Sequence, residues 1–419
     1  EPDVPVTLVE RGLVGGECSY YACMPSKALL RPPEVVAAAR LAPGAAEAVT
    51  GPIDAGRLFW HRDQVTGDWD DSSQEEWLAE RGIELVRGEA VVCGPGRAEV
   101  DGRELRFERL LVATGSVPSV PPIAGLDRVE FWGNREATST SEVPQSVVVL
   151  GAGPVGCELA QLFVRLGARV ALADIADRLL PRDDPEVGAL LHDALAEEGV
   201  DIHVGRAIER VEPGISVHVE GGAELRGERL IVATGRRAAV DGLGLETLGV
   251  TVSRRGIEVD ERMRAGDGVW AAGDVTGVAM FTHVGKYQAR VAAADMAGVD
   301  ARTDYRAIPA VTFTDPQVAS VGRTTGDGLV VGERRSTARL STYERPRRPG
   351  FLKVFADPER QVLVGACAVG PEAGEWLGQL TLAIRAEVPI DVVLDTIQPY
   401  PTFSEAIQFA VRDLGLAGA

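Results

Sequence analysis

Apolar and polar positions change periodicity twice between residues 146 and 174, and this change predicts a strand, a helix and a second strand. Residues 147–150 are continuously apolar, as in a strand that is covered on both faces. Apolar residues then recur at helical spacing until Gly167, at Val155, Leu159, Leu162, Phe163 and Leu166. Residues 169–173 form the second strand, and Asp174 follows it.

Similar strands recur elsewhere in the chain. Residues 110–115 and 230–235 read LLVATG and LIVATG, and each predicts a buried strand that runs into a glycine turn. Residues 6–10 and 269–274 also predict strands, and each segment ends on an acidic residue. These repeats favour an internal duplication of dinucleotide-binding folds.

After about residue 304 the pattern changes to the alternation that is typical of antiparallel strands. We expect strands at residues 308–314, 351–356 and 362–369, and helices at residues 371–387 and 404–414. The sequence therefore predicts an α/β chain with two doubly wound dinucleotide-binding domains and a C-terminal α+β domain.

Composition excludes several classes of protein. At roughly 150 residues per domain, the 419 residues allow about three domains. The net charge of −19 would repel nucleic acid and anionic membranes, and no apolar run is long enough to span a membrane. Five cysteines are too few for a secreted disulfide framework, and the first residues do not resemble a signal peptide. We expect a cytoplasmic protein with no nucleic-acid or membrane partner.

The segment GAGPVG between the first two strands matches a dinucleotide fingerprint in its full context of strand, glycine turn, helix, strand and acid. In that motif Gly151 makes the turn, Gly153 lets backbone amides approach a pyrophosphate, and Gly156 allows close helix packing. Asp174, 23 residues after Gly151, would bind ribose hydroxyls and repel a 2′-phosphate. The sequence therefore predicts NAD, with NADH preferred over NADPH.

Alternatives stay open at both acids that end strands. Asp174 could simply end an exposed strand, and Arg169 or Arg178 could weaken the discrimination against NADPH. Glu10 is either a surface acid or the ribose ligand of a second dinucleotide. Since the sequence starts without methionine and almost directly on the strand before Glu10, we expect an N-terminal segment to be missing from it.

The stretch GGECSYYACMPSK carries the candidate redox chemistry. In a regular helix, residues five apart lie beyond the roughly 7 Å limit for a disulfide, so Cys18 and Cys23 could bridge only across a distorted turn. Such a bridge would be strained and reducible, as a redox couple requires. The alternative is two unrelated buried thiols. We expect Cys93, Cys157 and Cys367 to be core thiols, and the scattered histidines show no metal-ligand spacing.

This stretch, LVATGSVP, the Gly151 fingerprint with Glu158, AAGDV and PYPTFSEA together resemble the class I pyridine nucleotide-disulfide oxidoreductases, typified by dihydrolipoamide dehydrogenase, glutathione reductase and mercuric reductase. The resemblance covers essentially the whole chain. It implies an FAD domain at residues 1–143 and 265–303, an NAD(P) domain at residues 144–264 and a dimerisation domain at residues 304–419. It also implies a homodimer with composite active sites, and an FAD domain whose own first glycine fingerprint is absent from this sequence.

The resemblance assigns roles to individual residues. Cys23 is similar to the flavin-facing thiol and Cys18 to the thiol that attacks substrate, while Lys27 and Glu158 match a pair beside the flavin N5. A surface lysine is the alternative for Lys27. The implied cofactor-binding residues are Glu10, Gly16, Lys27, Thr114, Gly115, Asp274, Gly151, Gly153, Gly156, Asp174 and Gly235.

The tail departs from the disulfide reductases, because Tyr400 stands where they have the catalytic histidine contributed by the partner subunit. A phenol with a pKa of about 10 is a poor proton acceptor at neutral pH, and no histidine follows His283. Glu405, the histidine's partner in the family, also completes a capping box with Thr402, and we favour that role.

The resemblance therefore predicts an FAD-dependent enzyme that passes electrons from NADH through a Cys18–Cys23 disulfide to a small disulfide-type acceptor. Because Tyr400 replaces the base, reduction of a quinone, a dye or a metal ion is an alternative. A low-turnover flavoprotein redox sensor is another. Bleaching of the flavin by NADH, with a long-wavelength thiolate–flavin absorbance band, would distinguish an enzyme from a sensor.

Overall fold

The computed structural model of the protein describes residues 4–335, 337–343 and 350–416. Its strands are β1 (Val6–Glu10), β2 (Ile83–Arg87), β3 (Ala90–Gly94), β4 (Arg97–Val100), β5 (Arg103–Arg106), β6 (Leu110–Val112), β7 (Ser116–Pro118), β8 (Ser146–Leu150), β9 (Arg169–Asp174), β10 (Asp201–Val204), β11 (Ile208–Glu212), β12 (Ser216–Val219), β13 (Ala223–Arg226), β14 (Arg229–Val232), β15 (Arg236–Ala238), β16 (Arg264–Gly266), β17 (Val269–Ala271), β18 (Pro309–Thr312), β19 (Gln317–Gly322), β20 (Val330–Arg334), β21 (Phe351–Asp357) and β22 (Val362–Gly370).

Helices connect many of these strands, which confirms the mixed α/β class predicted from the sequence. They are α1 (Gly16–Tyr20), α2 (Cys23–Leu41), α3 (Ala55–Val65), α4 (Ser72–Glu80), α5 (Asn134–Ser139), α6 (Pro154–Arg165), α7 (Pro185–Glu197), α8 (Thr282–Met296), α9 (Ala373–Arg385), α10 (Ile390–Asp395) and α11 (Glu405–Asp413). In the described part of the chain, no helix is both long and apolar enough to cross a membrane.

The chain divides into two compact units, and the first comprises residues 1–26, 60–119 and 235–304. In it β1 pairs with β2 and β6 with β17, both in parallel, while β3, β4 and β5 form an antiparallel sheet. A buried cluster that includes Val112, Val269, Ala271 and Val275 packs around the β6–β17 pair. The two paired strands end where the candidate cofactor residues begin.

The second unit comprises residues 27–59, 120–234 and 305–419. Its parallel sheet has the order β10-β9-β8-β14, and every residue of β8 is buried. Val147 and Val149 pack in a cluster with α6, whereas Val148 and Leu150 pack in another with β11 to β13. Burial on both faces explains the continuous apolar run, and each such side chain contributes about 1.5–3 kcal/mol.

The C-terminal part of this unit is an antiparallel sheet of order β18-β19-β22-β21-β20. Helices α9 and α11 pack on it through a buried cluster that includes Trp376, Leu380, Ile407 and Val411. The predicted helices at residues 371–387 and 404–414 are present, but each is shorter at both ends. The domain limits inferred from the family resemblance stay a prediction.

The three other cysteines do not share one environment. Cys157 in α6 and Cys367 in β22 are buried, and burial raises the pKa of each thiol, so both are unreactive core residues. Cys93 is exposed, and the expectation that it is a core thiol is wrong. Alternate residues of β3 face opposite sides, and Cys93 lies on the exposed side while Val92 is buried.

Candidate functional site

Cys18 and Cys23 lie on opposite sides of a helix break. Helix α1 ends at Tyr20 and α2 begins at Cys23. The amides of Tyr21 and Ala22 both donate to the carbonyl of Glu17, at 2.8 and 2.7 Å. This tightened turn replaces regular helix geometry, so the thiols come into hydrogen-bond contact although they are five residues apart.

Contacts from outside the motif hold this break. The indole N–H of Trp69 donates to the carbonyl of Tyr20 at 3.1 Å, which satisfies an acceptor at the end of α1. The buried Tyr20 donates its hydroxyl to Val14 O at 3.3 Å. Gly15 enters the turn with φ +122°, a conformation that favours glycine. Trp69 could not be identified from the sequence, because a distant tryptophan carries no sign of this contact.

Helix α8 supplies two further residues to the thiols. The hydroxyl of Thr282, its first residue, lies 3.4 Å from Cys23 Sγ. A hydrogen bond to Cys23 and partial burial raise the pKa of Cys18, while Thr282 and the positive charge of Lys286 oppose that shift. Thr282 and Lys286 are four residues apart on one helix face, and no sequence motif indicated either of them as a site residue.

Lys27 and Glu158 form an ion pair in the second unit. Lys27 Nζ lies 2.9 and 3.2 Å from the carboxylate oxygens of Glu158, whose residue is only 6% exposed. The same carboxylate accepts the backbone N–H of Phe313 at 2.8 Å, and Lys27 Nζ lies 4.6 Å from the centre of the Phe313 ring. Lys27 is therefore not a free surface lysine.

The turn after β17 packs closely against α8. A Cβ on Gly285 would lie 3.2 Å from Gly273 Cα, so both glycines allow the helix to approach the turn. Asp274 follows, and its carboxylate accepts the hydroxyl of Ser116 at 2.6 Å. Arg236 Nε donates to the same hydroxyl at 2.7 Å. This chain of charged and polar groups fixes one carboxylate oxygen of Asp274.

The other candidate flavin residues end strands of the first unit. Glu10 ends β1, and its carboxylate accepts the amide of Gly12 at 2.7 Å. Thr114 donates its hydroxyl to Ala239 O at 2.7 Å. Gly16 and Gly115 have positive φ, and a Cβ on either would have no atom within 4 Å. Acids and open glycine turns at strand ends are the features that an FAD dinucleotide requires, so these residues fit the cofactor.

The glycines of the GAGPVG turn differ in what surrounds them. A Cβ on Gly151 would overlap the carbonyl of Ala233, and one on Gly156 would overlap the carbonyl of Gly151. Gly153, the N-cap of α6, has φ −79° and nothing within 4 Å of its Cβ position. Packing and backbone conformation therefore explain the first two glycines but not Gly153, where open space remains for a ligand. Gly235, in the turn after β14, is also open at its Cβ position.

Asp174 lies at the end of β9, as the fingerprint requires. Its two carboxylate oxygens accept the amides of Ala152 and Ala176 at 2.6 and 2.7 Å. A carboxylate has about four acceptor positions, so it can still bind ribose hydroxyls. Arg178, the possible 2′-phosphate ligand, instead lies 3.3 Å from a carboxylate oxygen of Asp177 and donates to Pro181 O at 3.0 Å.

Tyr400 is 78% exposed and precedes Pro401 through a cis peptide bond. Glu405 begins α11, and its carboxylate accepts the amide of Thr402 at 3.4 Å, which is one half of the expected capping box. The Thr402 hydroxyl donates instead to Pro399 O at 2.6 Å. A cavity of about 310 Å³ lies beside this segment and is lined by Arg339, Tyr343, Glu372, Pro401, Thr402 and Phe403.

Comparison with known proteins gives matches along nearly the whole chain. The profile described as pyridine nucleotide-disulphide oxidoreductase matches residues 2–296, and the profile of that group's dimerisation domain matches residues 308–411. A mercuric reductase from Streptomyces lividans is 36% identical over 430 residues, which cover 97% of this chain and 90% of the relative. A dihydrolipoyl dehydrogenase from Thermus scotoductus is 35% identical over 427 residues, which cover 98% and 92%.

A solved structure has the same fold. The HOCl-induced flavoprotein disulfide reductase RclA from Escherichia coli aligns with a TM-score of 0.85 and 25% sequence identity. The alignment covers 98% of this chain and 94% of that protein.

Proposed function

We propose, from the premise that this chain belongs to the pyridine nucleotide-disulphide oxidoreductase family, that it is an NADH-dependent reductase acting through the thiols of Cys18 and Cys23. The family is FAD-dependent and takes its electrons from a pyridine nucleotide, which confirms the enzyme class predicted from the sequence. The proposed acceptor is a small disulfide-type molecule.

The observation that carries this proposal is the contact between the thiols across the helix break. Two thiols in contact can interchange between the dithiol and the disulfide with little movement of the backbone. Both cysteines are half-buried, so a small acceptor can reach them. Core cysteines would be sealed from solvent, as Cys157 is.

Different residues of the chain would bind the cofactor and supply charge to it. Bound FAD supplies the relay of an electron pair between nicotinamide and sulfur. Glu10, Asp274 and the open glycine turns would hold it. Lys27 would offer a positive charge to its ring, and Glu158 keeps that ammonium fixed and paired.

The nucleotide site favours NADH over NADPH. Asp174 presents a carboxylate where an adenosine ribose would lie, and Asp177 adds a second negative charge nearby in the chain. A 2′-phosphate would meet this charge, while Arg178 is already engaged by Asp177 and Pro181. NADH has no such phosphate and can accept and donate hydrogen bonds through both ribose hydroxyls.

The thiols then reduce a disulfide R–S–S–R in two exchanges. The Cys18 thiolate attacks one sulfur, a Cys18–S–S–R bond forms, and R–S⁻ leaves. The Cys23 thiolate attacks the Cys18 sulfur, which releases the second R–S⁻ and forms the Cys18–Cys23 disulfide. NADH returns the electron pair, so the balance is NADH + H⁺ + RSSR → NAD⁺ + 2 RSH. A hydrogen bond to Cys23 and partial burial raise the pKa of Cys18, so this thiol has to lose its proton before it attacks, and the proton passes to the R–S⁻ that leaves.

The proposed active site is shared between two copies of the chain. The match to a dimerisation domain supports a homodimer, and the exposed Tyr400 would complete the thiol site of the second copy. A phenol there can donate a hydrogen bond, but it accepts a proton poorly at neutral pH. We therefore expect slower disulfide exchange than a histidine would support.

A soft metal ion is the second candidate acceptor. Paired thiolates are favourable ligands for such ions, and reduction of a bound ion needs no imidazole base. A 36% identical relative is named a mercuric reductase, which also favours this candidate.

Anaerobic NADH titration followed by an acceptor panel tests the proposal. We expect NADH to bleach the flavin and to expose the thiols of Cys18 and Cys23, and lipoamide and other small disulfides to reoxidise the enzyme. Cys18→Ser should abolish disulfide reduction but spare dye reduction. Cys93→Ser is the matched control, since Cys93 is exposed and lies outside the site. Turnover with Hg²⁺ but with no disulfide would select the metal ion instead, and equal disulfide turnover in Cys18→Ser would refute the thiol route.

A further inference from the structure

We propose that Lys286 is a specificity-determining residue that makes Cys18 selective for negatively charged acceptors, such as disulfides that carry carboxylates. This inference rests on the proposed function and names the substrate class of the same site. It concerns charge next to the attacking sulfur, not the binding of either cofactor.

Helix α8 places Lys286 next to the thiols. Thr282 contacts Cys23 at 3.4 Å, and Lys286 follows one turn later on the same face. Lys286 is exposed, and its charge reaches the sulfur of Cys18. A ligand bound at Cys18 is therefore subject to the positive charge of this ammonium.

Lys286 differs from the other lysines of the chain. The sequence contains three lysines, and Lys27 and Lys353 are both held in ion pairs. Among the residues that the structure describes, no carboxylate lies within ion-pair distance of Lys286. A protein with a net charge of −19 thus has an uncompensated positive charge beside its redox thiols.

The acid nearest to Cys18 in the chain is already countered. Glu17 precedes Cys18, and one of its carboxylate oxygens lies 3.8 Å from Arg236. Arg236 therefore partly neutralises the negative charge of Glu17, whereas no described carboxylate lies close enough to neutralise the positive charge of Lys286. The positive charge of Lys286 attracts anions toward Cys18, and in the thiol exchange it also stabilises the R–S⁻ that leaves.

Three symmetric disulfides of similar size but different charge can show whether the charge of the acceptor affects kcat/KM. 3,3′-Dithiodipropionate is a dianion, 2-hydroxyethyl disulfide is neutral and cystamine is a dication. We expect kcat/KM to fall in that order for the holoenzyme. At low salt, Lys286→Gln should lower kcat/KM for the dianion about threefold to tenfold. The same variant should leave kcat/KM for the neutral disulfide unchanged and should raise kcat/KM for the dication.

Two variants control this comparison. Lys286→Arg should keep the preference for the dianion, because it keeps the charge. Arg254→Gln removes one exposed positive charge from the turn before Ile257 and should leave the preference unchanged. An unchanged order of the three disulfides in Lys286→Gln would overturn the inference.

Alkylation of reduced enzyme tests the inference without turnover, so its failure is distinct from failure of the proposed function. Iodoacetate is anionic and iodoacetamide is neutral, and the Cys18 thiolate displaces iodide from either reagent to form the same kind of thioether. The ratio of their rates at Cys18, followed by mass spectrometry of the labelled peptide, should fall about threefold to tenfold in Lys286→Gln. If wild-type enzyme reduces no disulfide but this ratio falls, the inference about charge stands and the acceptor is wrong. An equal ratio in both proteins refutes it.

Discussion

The two substitutions Gly153→Ala and Gly156→Ala, in the same glycine turn, should have different effects: one should weaken nucleotide binding and the other should lower stability. Gly153 has φ −79° and open space at its Cβ position, whereas a Cβ on Gly156 would overlap the carbonyl of Gly151. We expect Gly153→Ala to weaken NADH binding and leave the fold intact. We expect Gly156→Ala to destabilise the fold.

The magnitudes follow from these surroundings. At Gly153 the reduced entropy of the unfolded chain stabilises alanine by about 0.4–1 kcal/mol, and the weaker N-cap offsets a similar amount. At Gly156 helix propensity favours alanine by about 1 kcal/mol, but overlap with rigid backbone costs about 3 kcal/mol. For an unfolding domain of about 150–250 residues, the net loss of about 2 kcal/mol corresponds to a fall in Tm of about 4–8 °C.

NADH binding, unlike stability, should be weakened by Gly153→Ala. A methyl group at Gly153 would hold the pyrophosphate away from the amides at the start of α6, and each lost charge-assisted hydrogen bond is worth about 1.5–3 kcal/mol. We expect the apparent Kd for NADH, from stopped-flow flavin reduction, to rise about 10-fold to 100-fold. Calorimetric unfolding of the same samples gives Tm. Equal loss of Tm in both variants, or an unchanged Kd in Gly153→Ala, would refute the reasoning.

Three further changes test other parts of the molecule. Tyr400→His should raise disulfide reduction at neutral pH, because an imidazole with a pKa of about 6.5 can accept the thiol proton; no gain in kcat would contradict this role. Hydrogen bonds from Arg264 lower the pKa of Asp295 from 3.8 to about 2, so this stabilisation is present above pH 3.8 and lost as the pH falls toward 2. Asp295→Asn should therefore lower stability by about 1–2 kcal/mol near neutral pH but less near pH 2, as urea unfolding would measure; an equal loss at both pH values would oppose this account. Glu158→Gln should lower the free energy of unfolding by about 1–3 kcal/mol, since Lys27 and the amide of Phe313 lose a charged acceptor; unchanged unfolding would show the pair to be dispensable.

The parallel core and its nucleotide turn could be predicted from the sequence because their signals are local. The apolar run of β8, the helical spacing of α6 and the glycines between them lie within one short segment. Each of these residues is constrained by near neighbours in the chain, and periodicity records such constraints. The helix break between the cysteines was likewise expected, because a regular helix cannot bring their sulfurs together.

Other features were missed because their partners are distant in the chain. Trp69 holds the carbonyl of Tyr20, and Ser116 joins Arg236 to Asp274, but none of these pairs shares a periodic pattern. The apolar neighbours of Cys93 suggested a core thiol, yet its position in β3 turns it toward solvent. Local composition does not determine which face of a strand is covered.

The sequence by itself determined the order of strands, glycine turns and acids and the spacing of the cysteine pair, and it predicted that Tyr400 stands in place of a tail histidine. Tertiary structure alone decided which groups surround those cysteines, because Thr282 and Lys286 reach them only when α8 returns to the break between α1 and α2. Reactivity of a thiol depends on charges and hydrogen bonds within a few ångströms of the sulfur, and chain folding sets those distances.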